Sequence, residues 1–262
     1  MKYKIILITV SLAVALSAAA QTTADINKTD AQGKKQGPWI RKYPSGSILY
    51  EGTFVDDKPV GVFKRYNQNN SLNSVLVYSS DGRKASASFY HPNGFILSRG
   101  KYTDQLREGT WKFYSSETNG CLLSEENYSK NVRHGVALKY YPDSTVAEKI
   151  SYINGIKSGE WTQYHPNGKI YLRTSYVNGL LDGKFETWYD NGKTHYSGMY
   201  RYNLRKGKWK IYAADGTLKH EIDFDNEENK DLPADEDSAD MFNLIDKNLG
   251  RIPDPEKTGN IR

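Results

Sequence analysis

Two histidines have identical neighbours in this chain, and a histidine in a fixed setting is a candidate metal ligand or general base. The segment Tyr-His-Pro-Asn-Gly occurs at residues 90–94 and again at residues 164–168, so His91 and His165 are 74 positions apart. His134, His195 and His220 have other neighbours and show no spacing typical of a metal site. His91 and His165 belong either to a reactive site or to a turn that the architecture repeats.

Three further segments carry residues suited to chemistry, and none of them completes a motif. Gly192-Lys193-Thr194 matches the end of a phosphate-binding loop, but Thr187 stands where that loop needs a glycine. Cys121 has no histidine at a fixed position beside it, so an unreactive thiol is the simpler expectation. The acidic residues 235–237 lack the spacing of a calcium loop. We therefore predict no catalytic residue, no metal, no cofactor and no enzymatic activity.

Glycines recur along the chain at an interval of 24 residues. The series is broken once where Ala85 replaces the glycine, and once by two extra residues near residues 116–119. With these two adjustments, eight units share one register. Their leading residues are Gly37, Gly61, Ala85, Gly109, Gly135, Gly159, Gly183 and Gly207.

Aromatic residues keep a constant distance from the leading residue of each unit. Position two is usually Trp or Phe, position five is usually Tyr, and position seventeen is aromatic in all eight units. A turn such as His-Pro-Asn-Gly separates two runs that alternate with period two, so each unit is predicted to be a β-hairpin. The structural aromatic residues at positions two and five are Trp39, Trp111, Trp161, Trp188, Trp209, Tyr66, Tyr90, Tyr114, Tyr140, Tyr164 and Tyr212.

The pattern predicts an all-β fold, an elongated antiparallel β-meander of about eight 24-residue hairpin repeats. A two-stranded unit cannot bury its apolar side chains alone, so neighbouring units must supply the core. A propeller with two units per blade is the main alternative, but nothing in the sequence distinguishes alternate units. In a meander His91 and His165 lie about 29 Å apart. Other units have Asn, Ser, Tyr or Ala at this position, so we assign both histidines to the turn.

The repeated unit resembles a known family. Residues 159–169, GEWTQYHPNGK, are similar to the bacterial variant of the MORN repeat (membrane occupation and recognition nexus), and the resemblance covers about residues 36–224. It is weaker in the third and fifth units, where Ala87 and Ala137 replace the aromatic residue. The resemblance implies an elongated β-meander that serves as a scaffold or binding surface, generally without catalysis. Lipid binding has been proposed for relatives, and some bacterial members are labelled antitoxin-like.

The ends of the chain differ in composition from the repeats. Lys2, Lys4, the apolar residues 5–16 and the small residues 18–20 predict a secretory signal peptide at residues 1–20. Residues 21–35 form a polar N-terminal segment, and residues 36–224 form the repeat domain. Residues 225–262 are an acidic linker and tail, either with a short helix over 240–249 or disordered. Export predicts a location in the periplasm, at the periphery of the outer membrane or outside the cell, which does not favour an antitoxin.

Charge divides the chain into a basic body and an acidic tail. Residues 225–262 contain eleven acidic and five basic residues and residues 1–20 carry two lysines, which leaves +9 on residues 21–224. Together with the repeated rings, this charge predicts a binding face of aromatic and basic side chains on one side of the sheet. The candidate basic residues are Lys64, Arg65, Arg99, Lys101, Arg201, Arg205, Lys208 and Lys210.

These features predict an exported, non-catalytic repeat scaffold that mediates protein–protein interaction at the bacterial cell envelope. The expected partner is an envelope protein whose identity is unknown. Binding to an anionic membrane surface or to a glycan is the alternative, because rings beside lysines suit either. Nucleic acid is not expected as a partner of an exported chain.

Overall fold

Every regular element in the described part of the chain is a β-strand. The computed structural model describes residues 26–118 and 120–226, and the predicted signal peptide and the predicted helix at 240–249 lie outside these residues. The strands are β1 (Lys28–Thr29), β2 (Lys35–Lys42), β3 (Ile48–Val55), β4 (Lys58–Tyr66), β5 (Leu72–Tyr78), β6 (Lys84–Tyr90), β7 (Ile96–Thr103), β8 (Leu106–Tyr114), β9 (Leu122–Ser129), β10 (Val132–Arg133), β11 (Gly135–Tyr140), β12 (Val146–Ile153), β13 (Ile156–Tyr164), β14 (Ile170–Val177), β15 (Leu180–Leu181), β16 (Gly183–Trp188), β17 (Thr194–Arg201), β18 (Leu204–Tyr212) and β19 (Leu218–Asp223).

The nineteen strands of residues 26–118 and 120–226 all belong to one open antiparallel sheet. Pairing follows the chain, from β2 with β3 and β3 with β4 through to β18 with β19. Two predicted strands are each interrupted at one residue: His134 divides β10 from β11, and Asp182 divides β15 from β16. The short β1, which the sequence did not predict, pairs with β2. The predicted all-β meander of eight hairpins is confirmed, and the chain forms one continuous sheet, not propeller blades.

Turn residues adopt the backbone conformations that the sequence requires. Within each unit that lacks the two-residue insertion, the turn residue at position nine has a positive φ, for example 87° at Gly94 and 78° at Gly168. Between units, most turns have two central residues with positive φ, such as Asp56 and Asp57 at 50° and 66°. Such two-residue turns match the twist of a hairpin, and Gly, Asn and Asp tolerate them with little strain.

The leading glycine of a unit lies in a β-bulge. Ile150 pairs with Trp161 and Tyr152 pairs with Lys157, so the strand around Gly159 carries extra residues, and Gly159 has a φ of 83°. Unit 3 is the exception, because β5 and β6 pair without a shift from Ser74 and Phe89 to Tyr78 and Ala85. An alanine is strained at positive φ, so the replacement of glycine by Ala85 removes the bulge.

Alternation along the strands divides the side chains between two faces. The ring face carries positions two and seventeen, and its position-seventeen rings are Phe54, Tyr78, Tyr102, Tyr128, Tyr152, Tyr176, Tyr200 and Phe224. The buried apolar side chains lie on this face and form three clusters, in units 1–2, units 3–4 and units 5–8. The other side of the sheet, called here the outer face, carries position five. Because a bulge bends its strand, we attribute the burial of the ring face to a bend of each hairpin around it.

Candidate functional site

His91 and His165 each join one repeat unit to the next. His91 Nε2 lies 3.1 Å from the backbone oxygen of Tyr114, and His165 Nε2 lies 2.8 Å from that of Trp188. A carbonyl oxygen only accepts, so each Nε2 carries the proton and donates it. Both acceptors are 23 residues ahead, at position five of the following unit. The two histidines therefore hold the stack together and do not approach each other.

Tyrosines make the same contact in other units. The hydroxyl groups of Tyr43, Tyr141 and Tyr189 donate to the backbone oxygens of the residues 23 positions ahead, at 2.9, 2.7 and 2.8 Å. Histidine and tyrosine have in common a ring long enough to reach this backbone oxygen and a hydrogen-bond donor at the end of the ring. This common function explains why the sequence exchanges them at position six, and it assigns the histidines a structural role.

The residues that resemble a phosphate-binding loop also join units. Lys193 Nζ donates to the backbone oxygen of Asp215, and Asn191 Nδ2 donates to that of Ala214 at 2.8 Å. Asn93 makes the corresponding bond to Ser116 at 3.1 Å. Cys121 lies half-buried in the turn of unit 4, where its backbone N–H donates to Thr118. The side chains of Lys193, Asn191 and Asn93 therefore connect turns of neighbouring units.

Large residues at position two fit against small residues at position fifteen of the preceding unit. A Cβ added at Gly52, Gly100 or Gly198 would overlap the ring of Phe63, Trp111 or Trp209 respectively. The relationship reverses in unit 3, where Leu76 at position fifteen pairs with Ala87 at position two. In unit 5 Ala137 follows Glu126. In units 3 and 5, where alanine replaces the ring at position two, position fifteen of the preceding unit thus carries a larger residue, Leu76 or Glu126.

In most units a basic side chain lies over the aromatic rings of the ring face. This residue stands two positions before the leading glycine and is called here the covering position. Lys35 Nζ lies 5.0 Å from the ring centre of Trp39 and 4.8 Å from that of Phe54. Arg107, Arg133, Lys157 and Arg205 occupy the same position in their units and lie over rings in the same way. A cation over an aromatic ring stabilises by about 0.5–2 kcal/mol and excludes water from the ring.

The predicted aromatic residues divide between the two faces. Trp39, Trp111, Trp161 and Trp209 lie on the ring face, and the last three are at most 8% exposed and belong to the core. The outer face carries Trp188 and the six position-five tyrosines, Tyr66, Tyr90, Tyr114, Tyr140, Tyr164 and Tyr212, all half-buried. Several of these position-five rings contact a charged side chain of the preceding unit. Tyr66 donates to Glu51 at 2.7 Å, which raises the pKa of Tyr66 to about 12.

The predicted basic residues also fall on both faces, so they do not form one row. Arg65 and Arg205 lie on the ring face, where Arg205 covers Phe224 at 4.7 Å. Lys64, Arg99, Lys101, Lys208 and Lys210 lie on the outer face, and Arg201 lies at the end of β17 next to a turn. Several have acidic partners: Lys64 pairs with Glu51, and both Lys208 and Lys210 pair with Glu221. Much of the basic charge is thereby balanced locally.

A buried ion pair interrupts the ring face in the middle of the sheet. Glu126 accepts two hydrogen bonds from Arg133 at 3.0 Å and one from the Tyr128 hydroxyl at 2.5 Å. Burial and the bond to Glu126 raise the pKa of Tyr128 to about 12. In the next unit Lys139 lies 3.6 Å from Glu148, and burial lowers the pKa of Lys139 although Glu148 opposes this. This charged region separates the apolar cluster of units 3–4 from that of units 5–8.

A second candidate surface lies along the turns between units 4 and 8. Six of the eight side chains that flank these turns are apolar and exposed, from 38% at Leu180 to 62% at Leu204, and the other two are Ser129 and Arg201. The six apolar side chains form the tip row, defined as Val132, Ile153, Ile156, Val177, Leu180 and Leu204. Neighbouring turns are in contact, since a Cβ at Gly155 would lie 3.4 Å from Val132 and one at Gly179 would lie 3.3 Å from Ile156.

A third candidate site is an open pocket of about 410 Å³ on the ring face, where units 2 and 3 meet. Its walls include Phe63, Tyr78, Phe89 and Tyr102, and Arg65 lies among them. No group of three or more His, Cys, Asp or Glu side chains suited to a metal occurs in residues 26–118 and 120–226. The same residues contain no helix that is long and apolar enough to cross a membrane.

Comparison with known families identifies the repeat. The sequence pattern described as "MORN repeat variant" matches this chain five times, at residues 35–56, 133–154, 157–178, 181–202 and 205–226. The chain is a MORN-repeat protein. The matched MORN repeats are units 1 and 5–8, and their boundaries coincide with the hairpins of the sheet. Residues 59–130, which form units 2–4 and contain Ala85, Ala87 and the two-residue insertion, lie between the matches.

Two solved structures are similar to parts of this MORN-repeat protein. One is described as "Crystal Structure of TcdB2-TccC3"; it shares 10% identity and a TM-score of 0.22 over 71% of this chain. The other, "Crystal Structure of TcdB2-TccC3-TEV", shares 11% identity and a TM-score of 0.20 over 66% of this chain. The MORN-repeat chain spans only 14% and 12% of the lengths of those chains. No curated protein sequence matches it.

Proposed function

We propose that this chain is a non-catalytic MORN-repeat scaffold that binds a partner protein through the tip row at the bacterial cell envelope. The observation that carries the proposal is the exposure of six apolar side chains along one line of turns, at the ends of the strands. Three repeats at about 9.6 Å each make the tip row about 29 Å long. Contiguous exposed apolar surface is a feature of interaction sites, because water contact with it is unfavourable.

The tip row is held rigid before any partner arrives. The backbone N–H groups of Gly155, Gly179 and Asn203 donate to the preceding unit at 2.8, 2.9 and 2.9 Å, which ties each turn to its neighbour. The turn residues between the apolar side chains are mostly uncharged, as at residues 154–155 and 178–179. A preorganised surface loses little conformational entropy on binding, which favours a scaffold function.

Export to the envelope is supported by the N-terminal sequence. Residues 1–20 combine two lysines, an apolar run and small residues before Gln21, in the order of a secretory signal. Expression with the natural N-terminus should yield a mature protein that begins at Gln21, measured by mass spectrometry of the periplasmic and extracellular fractions. Recovery of the full-length chain in the cytoplasm would contradict export.

Partner binding is tested by charging the tip row. Ile156→Glu, Leu180→Glu and Leu204→Glu, combined in one variant, should abolish capture of the partner from an envelope extract. The matched control is Val55→Glu, Val62→Glu and Val77→Glu, which changes the charge equally at side chains that are 48%, 53% and 49% exposed but lie in units 1 and 2. The control should capture what the wild type captures. Equal capture by the tip variant would refute the tip row as the interface.

Membrane association is a second candidate, because exposed Lys130 and Arg201 lie at the first and the last turn of the tip row. An apolar row beside basic side chains suits the headgroup layer of an anionic bilayer. Flotation with phosphatidylglycerol vesicles separates the two candidates. Vesicle binding that the tip variant loses would replace the partner protein by a membrane surface, and absence of flotation with anionic and neutral vesicles would exclude this candidate.

A further inference from the structure

The pocket between units 2 and 3 occupies a gap in the repeated packing. It lies between the apolar cluster that contains Phe63 and the one that contains Trp111, and Leu76 contacts both clusters. The rings of Tyr78, Phe89 and Tyr102 are only partly buried there. Its volume of about 410 Å³ is within the range of small-ligand sites, which usually combine apolar walls with a few polar groups.

The basic cover that lies over the rings of most units is missing at this pocket. Unit 2 has Pro59 at the covering position. In unit 3 the covering residue is Arg83, whose guanidinium donates two hydrogen bonds to Asp104 at 2.8 Å. The rings of Phe63, Tyr78 and Tyr102 therefore lack the cation that covers their counterparts.

The pocket carries one unbalanced positive charge. Arg83 is neutralised by Asp104, and Arg65 is exposed and makes no ion pair within the described part of the chain. Arg65 extends from the ring face next to the buried Ser74, with which it is paired across the strands. Rings with a single guanidinium at their edge favour an apolar ligand with one anionic group.

We propose that the pocket between units 2 and 3 binds a carboxylate that carries an aromatic ring, either a free small molecule or the C-terminal residue of a peptide. Arg65 binds the carboxylate through two parallel N–H groups, which is the geometry that guanidinium prefers. The aromatic ring of the ligand packs edge to face against Tyr78 and Tyr102 and occupies the place of the absent cover. This site is separate from the tip row, so it adds a second binding activity to the scaffold.

Two probes, each compared with its amide, test the ligand chemistry. The probes are 3-phenylpropionate and the peptide acetyl-Gly-Ser-Gly-Phe with a free C-terminus, titrated into the mature chain and followed by saturation-transfer NMR. The amides should bind about tenfold more weakly, the factor expected when one charge-assisted hydrogen bond is lost. Binding of one probe alone identifies the source of the carboxylate and supports the site. No binding of either probe, or equal binding of acids and amides, would overturn the proposal.

Three variants connect the binding to this pocket. Arg65→Met keeps the side-chain length but removes the charge, and it should reduce binding of the acids to the level of the amides. Pro59→Lys restores the cover seen for Lys35 in unit 1, and it should abolish binding while the circular dichroism spectrum is unchanged. Val62→Lys adds the same charge on the outer face, where Val62 is 53% exposed, and should bind like the wild type. Wild-type binding by Pro59→Lys would place the ligand elsewhere and overturn the proposal.

Discussion

Trp209 of unit 8 lies directly over Gly198 of unit 7, with no space for a Cβ on the glycine. Trp209 is 1% exposed and packs edge to face against Tyr200, with ring centres 5.1 Å apart. The same arrangement joins Gly100 to Trp111. A glycine in the middle of a strand is normally unfavourable, and here the close approach of an aromatic ring explains it.

Gly198→Ala should therefore lower the free energy of unfolding by about 1–3 kcal/mol, the cost of overpacking a well-packed core. Urea denaturation measures this change. In a Trp209→Leu background the smaller side chain leaves room for the methyl group, so the same substitution should cost less. If the losses in unfolding free energy of the two substitutions are strictly additive, the Trp209 ring is not the reason that position 198 requires glycine.

His165→Leu should destabilise the fold by about 1 kcal/mol, because the backbone oxygen of Trp188 loses its hydrogen bond. His165→Tyr should retain most of the stability, since Tyr141 makes the equivalent bond to Tyr164 at 2.7 Å. Thermal or urea unfolding of both variants provides the comparison. If tyrosine is as damaging as leucine, position six does not act through this bond.

Arg133→Met should be among the most damaging substitutions, because it leaves the Glu126 carboxylate buried without its cation. Removal of one partner of a buried ion pair costs about 3–5 kcal/mol. The double variant Glu126→Gln, Arg133→Met also removes the carboxylate charge and should recover part of the loss. A double variant that is no more stable than Arg133→Met would indicate that Arg133 acts through its contact with Tyr152.

Tyr128 makes the folded state sensitive to alkaline pH. Its pKa is raised to about 12 in the fold, against about 10 in an unfolded chain, so the folded state favours the protonated hydroxyl. The resulting stabilisation is present below pH 10 and is lost as the pH rises from about 10 to about 12. Tyr128→Phe should flatten the decline of unfolding free energy over this interval by about 2 kcal/mol. Identical pH profiles for Tyr128→Phe and the wild type would refute the role of this hydroxyl.

Local signals in the sequence were sufficient to predict the repeated hairpins. The interval between glycines, the alternation of side chains and the turn residues depend on interactions within about 24 residues, and the structure confirms the meander that they indicate. The assignment of His91 and His165 to turns was likewise based on exchange with other residues at one position. The acceptor of each histidine could not be predicted, because it lies 23 residues ahead in a separate hairpin.

The distribution of the basic residues over two faces follows from their positions in the repeat, because net charge alone does not distinguish the two sides of a sheet. Lys64 and Arg65 are neighbours in the chain, and alternation alone places them on opposite sides of the sheet. Sorting each charged residue by its position in the repeat would have found the row of cations from Lys35 to Arg205. The pocket could not be predicted in this way, because its volume depends on how side chains of two hairpins pack against each other.

The sequence by itself determined which segments form strands, where the turns lie and which side chains share a face, because backbone conformation and period-two alternation are local properties. Only the tertiary structure decided what those faces contain. The pairing of Gly198 with Trp209, the burial of Glu126 beside Arg133 and the pocket between units 2 and 3 each arise from contacts between units. Such contacts depend on the combined shapes of side chains from different hairpins, which no single repeat specifies.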